Sequence, residues 1–85
     1  MLTSEERTSI VQALSVWANF APDEPVLGFV QSNSLKTPKE ILSDVIEKTS
    51  DGEALMEMIE HGVRREGLSA VVSRLRTQPK SIQNF

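Results

Sequence analysis

The amino-acid sequence predicts an all-α protein, a compact bundle of five to six mostly antiparallel helices that forms one domain over residues 1–85. Three observations lead there. Apolar residues recur at three- and four-residue spacing through most of the chain, the period of a helix with one buried face. Several of these runs are preceded by a hydroxyl residue with glutamate three positions later, the signature of a helix start. The segments between them are short and rich in Pro, Gly, Ser, Asn and Asp, which suits the tight connections of neighbouring antiparallel helices.

The elements follow in order. Thr3 with Glu6 can satisfy two unpaired amide donors reciprocally, so a helix begins there. Ile10, Val11, Leu14, Trp17, Ala18 and Ala21 form its apolar stripe up to about Phe20, and Pro22 stops it. A lone tryptophan in register with Leu14 and Ala21 reads as core rather than as a binding anchor. Asp23-Glu24-Pro25 is a restart signal ahead of Val26-Leu27-Gly28-Phe29-Val30. Periodicity does not separate a two-turn helix from a short strand in that run, and because no second β-like segment is evident, it is assigned as helix.

Thr37-Pro38-Lys39-Glu40 combines a capping hydroxyl, a proline at the first helical position and glutamate at the third. Ile41, Leu42, Val45 and Ile46 are the expected buried face, with Lys39, Glu40, Asp44, Glu47 and Lys48 turned to water. Ser50-Asp51-Gly52-Glu53 repeats the capping pattern and opens a helix with the stripe Leu55, Met58, Ile59, Gly62 and Val63. Met56 falls off this stripe and is a candidate for exposure. Gly62 within the helix marks a close approach by a neighbour. Gly67 is the expected left-handed terminator, and Leu68, Val71, Val72 and Leu75 carry the last helical stripe to about Arg76, with Pro79 closing it. Ile82 and Phe85 are positioned to dock a final turn.

Composition narrows the chemistry. No cysteine is present, so neither disulfides nor thiolate-bound zinc supplement the core, and a reducing, cytoplasmic setting is expected. No apolar stretch has the length of a membrane span, and the acidic start Met1-Leu2-Thr3-Ser4-Glu5-Glu6 is unlike a signal peptide, so the chain reads as soluble and unprocessed. His61 is the sole histidine. With Glu57 and Glu60 it allows a weak divalent site at most. No serine stands in a nucleophile-elbow pattern and the glycines are dispersed. The expectation is a protein that is not an enzyme, with no cofactor, no metal and no small-molecule substrate.

Charge is unevenly placed along the chain. Residues 1–61 hold eleven acidic and four basic side chains, whereas residues 62–85 hold five basic ones against Glu66 alone. Arg64, Arg65, Arg74 and Arg76 on one side, and Asp44 and Glu47 on the other, are therefore the candidate partner-binding residues, able to join two copies head to tail. Gly67 to Arg76 could alternatively be the recognition helix of a small helix-turn-helix DNA-binding regulator. Val71, Val72 and Leu75 are needed for the core, however, and an acidic domain is poorly suited to phosphate, which makes nucleic acid the weaker reading.

The segment Ala54 to Arg76, a helix with an aliphatic pair ending at a glycine and followed by a short leucine-bearing helix, resembles the closing helices of bacterial effector-associated and other death-like domains. Leu14 to Phe20, Val26 to Val30 and the polar turn after them resemble the opening helices of the same class. The resemblance implies a death-fold, CARD-like bundle. It also implies an adaptor that pairs with a like domain and recruits proteases, nucleases or pore-forming effectors in bacterial conflict and anti-phage systems.

Overall fold

The structure, a computed structural model, describes residues 1–27 and 35–77. Among these, four helices account for most of the chain: α1 (Ser4–Phe20), α2 (Pro38–Ile46), α3 (Ser50–Glu66) and α4 (Leu68–Arg76). Two short strands, β1 (Val26–Leu27) and β2 (Leu35–Lys36), pair antiparallel between α1 and α2, with Val26 opposite Lys36 and Leu27 opposite Leu35. The all-α class holds. The helix expected to begin at Val26 does not form there: Val26 and Leu27 are strand, and their partner is a two-residue segment too short for alternation to reveal. Gly28 to Val30 and the expected final turn at Ile82 and Phe85 lie outside the described residues.

α1 starts as its sequence dictates. Glu6 N–H donates to Thr3 Oγ1 at 3.1 Å, and Thr3 N–H donates to Glu6 Oε1 at 2.9 Å. The same reciprocal box opens α2, where Glu40 N–H reaches Thr37 Oγ1 at 3.2 Å and Thr37 N–H reaches Glu40 Oε1 at 3.1 Å. The bond from the Thr37 amide, and a second from the Thr37 hydroxyl at 3.0 Å, keep the Glu40 carboxyl below the usual glutamate range.

α1 packs against α2 and α4, and α3 closes the other side against the same two helices. Ile10, Leu14 and Trp17 from α1, Ile41 and Val45 from α2, Leu55 and Ile59 from α3, and Val71 and Leu75 from α4 meet in one core. Trp17 is 1% exposed, as its register predicts. α2 runs back along α1: Lys39 N–H donates to the Pro22 carbonyl at 3.4 Å at one end, while Val45 and Ile46 share a groove with Ser4 and Thr8 at the other.

The tightest junction is between α2 and α3. Glu47 caps α2, Lys48 turns into the left-handed region at φ 56°, and two backbone bonds close the turn, Thr49 N–H to Asp44 O at 3.1 Å and Lys48 N–H to Val45 O at 3.3 Å. That pair of bonds is a Schellman motif. α3 then begins one residue earlier than the Ser50 capping pattern suggests, because Thr49 is its N-cap and its hydroxyl accepts from Gly52 N–H at 3.0 Å.

Gly52 lies against the backbone of α2. A Cβ at Gly52 would sit 2.1 Å from the Asp44 carbonyl oxygen and 2.5 Å from its carbon, well inside contact distance. This seat fixes the rotation of α3, so Gly52, Leu55, Met56, Ile59, Gly62 and Val63 face inward. Met56 is therefore core rather than exposed, and Met58 is only half-buried at the flank. Two further departures come from the same packing: Ile46, expected inside, is 59% exposed, and Asp44, expected in water, is half-buried.

Gly67 ends α3 and begins α4 at φ 93° and ψ 154°. Its φ is positive as expected, but its ψ belongs to an extended region open essentially to glycine and not to the left-handed helix. The surrounding space is open, so conformation and not crowding selects glycine here.

These two glycines should respond differently to alanine. Gly52→Ala is expected to cost at least about 3 kcal/mol, because backbone atoms must move to admit the methyl group. Gly67→Ala should cost about 1–2 kcal/mol through φ alone. Denaturant unfolding of both variants checks the order, and equal costs would show that the α2–α3 seat yields easily.

Candidate functional site

The ionisable groups sort into those that hold the bundle and those that remain at its surface. Lys36, on β2, places its Nζ 2.6 Å from Asp44 Oδ2 on α2 and 3.0 Å from Asp51 Oδ2 in the first turn of α3. The three side chains are about one-fifth to one-quarter exposed. The strand pair, α2 and α3 are thus clamped at one point, beside the Gly52 seat. Asp44, a candidate for partner binding, is engaged inside the fold through both its carboxylate and its carbonyl.

Glu47 remains on the surface at the α2 C-terminus, where it accepts a 2.9 Å bond from Ser43 Oγ. Arg64 and Arg65 are exposed in the last turn of α3. Arg64 Nη2 donates to the Met1 carbonyl at 2.8 Å and lies 3.8 Å from Glu60, whose carboxylate also takes the Met1 ammonium at 2.7 Å. That ammonium holds the Glu60 carboxyl below its usual range. Arg74 reaches back from α4 to the end of α3, with Nη1 and Nη2 meeting the two Glu66 oxygens at 3.2 and 2.7 Å. Arg76 is exposed in the last turn of α4.

The arginines therefore divide. Through Glu66, Arg74 lies close to the α3 end that bears Arg64 and Arg65, while Arg76 borders an open groove between α1 and α4 with Ser9, Gln12, Leu68 and Val72. Asp44 and Glu47 do not form a single acidic surface, since only Glu47 faces outward. Glu57 and His61 line an open cleft with Met1, Leu2, Arg7 and Glu53. Arg7 and Glu53 pair there at 2.9 Å, and among the described residues no group of three or more His, Cys, Asp or Glu side chains is arranged to hold a metal ion. No described helix is long and apolar enough to cross a membrane.

Sequence reading missed two features of this surface. Lys36 carries no local signal, because its partners lie eight and fifteen residues away. The exposed apolar residues Val16, Phe20, Leu35 and Ile46 were also hidden, since helical spacing alone does not say where a neighbour stops covering a stripe.

Comparison with protein-family models, curated proteins and solved structures finds no match.

The Lys36 clamp has a pH signature. Its hydrogen bond to Asp44 is the main cause raising the ammonium above the ordinary lysine value of 10.5, burial opposes it, and Asp51 adds to the rise. A folded-state value above the unfolded one means that the contribution is complete below the unfolded range and disappears as pH climbs through the folded value. Wild-type stability is expected to decline as pH passes 10.5. Lys36→Met should be less stable by about 1–3 kcal/mol at neutral pH, and should lose less on going alkaline. Identical alkaline profiles in the two proteins would separate the clamp from stability.

Proposed function

We propose that the chain is a non-enzymatic protein-interaction domain that pairs with a like domain. The observation that supports this most is the division between interior and surface. The described core is apolar throughout, with no buried polar or charged residue. Charged side chains gather outside it, with Arg64 and Arg65 at the end of α3, Arg76 at the end of α4, and Glu5, Asp23, Glu24, Glu47 and Glu57 elsewhere on the surface. Recognition then rests on outer charge, with basic ends of one copy meeting acidic surface of another.

In its finer form the reading is a death-fold-like adaptor of the cytoplasm that recruits effectors in bacterial anti-phage conflict. Support for it is the resemblance of Ala54 to Arg76 and of Leu14 to Phe20, together with a helix, glycine turn and short helix at α3, Gly67 and α4. Within this reading Glu47 is the acidic contact on α2, and Asp44 serves by positioning the helix that carries it.

Arg64→Glu combined with Arg65→Glu tests the electrostatic contact. Self-association followed by light scattering at low salt is expected to weaken by about tenfold or more in the double variant, and wild-type association should weaken as salt rises. Association untouched by the reversal would refute the contact. Duplex DNA binding with a steep salt slope, lost on changing Arg76, would replace the adaptor with a nucleic-acid regulator.

A further inference from the structure

We infer that copies of this chain join head to tail by seating Phe20 of one molecule in the groove between α1 and α2 of the next. This rests on the reading that the domain pairs with its own kind, and it assigns a contact apart from the arginine cluster. Phe20 is 77% exposed at the end of α1, and Val16, one turn earlier, is also exposed. Its setting is electronegative. The last turn of α1 holds no basic residue to offset the helix dipole, and Asp23 and Glu24 stand exposed just beyond it.

The groove is the complement. It is an open groove with a volume of about 420 Å³. Ile46, which leaves more than half of its area uncovered, and the half-buried Val11 supply its apolar surface, with the core residue Val45 beneath them. Of its ionisable lining residues, Lys48 is an exposed cation, whereas Arg7 is engaged by Glu53 at 2.9 Å. Lys48 also occupies the left-handed position that closes α2, where glycine would fit without strain. A lysine at that position places a cation at the edge of an apolar groove, suited to the carboxylates that accompany Phe20.

One molecule cannot satisfy itself in this way. Val11 and Phe20 are nine residues apart on one helix, so they are separated by about 14 Å along the axis and project about 180° apart. The knob and the groove therefore lie on opposite faces of α1. A contact between them is heterologous and leaves one of each free at the two ends of any chain of copies.

Sedimentation equilibrium of the full chain at low salt, up to about 1 mM, the weak end of measurable association, reads this out. The average mass is expected to rise beyond a dimer. Phe20→Asp and Ile46→Asp alter exposed positions and should each reduce association by about tenfold or more. Mixed in equal amounts, they should associate with each other about tenfold or more tightly than either does with itself, because one variant keeps the groove and the other keeps the knob. Lys48→Gly should raise the denaturation midpoint while weakening association several-fold, which a merely structural lysine would not do. Wild-type association that survives both aspartate substitutions, or a mixture that stays monomeric while wild type assembles, overturns this contact and leaves pairing through the arginines standing. A wild-type chain that is monomeric throughout overturns both.

Discussion

The first turn of α3 rests on the backbone of α2, and the rest of the structure is arranged around that contact. Asp44 supplies the carbonyl against which Gly52 packs, and the same oxygen accepts bonds from the Thr49 amide and hydroxyl. Its carboxylate binds Lys36. One residue thus ends a helix, seats the next one and ties both to the strand pair. The close approach sets the rotation of α3 about its axis, which in turn decides that Met56 enters the core and Met58 does not.

How much of this was legible follows from the range over which each interaction acts. Capping at Thr3 and Thr37, the buried register of Trp17, and the positive φ of Gly67 depend on residues within one turn of one another, and the sequence states them. The strand pair at Val26 and Lys36 was not legible, because two residues carry no period. Ile46 and Asp44 were assigned to the wrong sides of α2, since a helix wheel shows which residues cluster and not how far the neighbouring helix extends over them. Gly52 was read only as part of a capping pattern, since spacing within α3 could not reveal that α2 comes in against its first turn.

The candidate site shows the same limit. The arginines were located correctly on the ends of α3 and α4, yet Arg74 is held by Glu66 and the partner of Lys36 turns out to be a residue expected to meet another protein. Sequence charge gave the sign of each region but not which ions had internal partners. Burial of apolar side chains is the dominant stabilising term in a domain of this size, and among the described residues it leaves the charged side chains outside the core. The exposed ring of Phe20 adds an apolar element to a surface that sequence reading had described by charge alone.

The arrangement of the bundle requires the α2–α3 seat to be an integral part of the folded state and not a junction that opens locally. Native-state hydrogen exchange at the amides of Thr49 and Gly52 measures this directly. The seat predicts that both exchange only through global unfolding, with the same free energy and denaturant dependence as the amides of Leu14 and Ile59 in the core. Exchange of Thr49 and Gly52 through a smaller opening, while Leu14 and Ile59 remain protected, would contradict it.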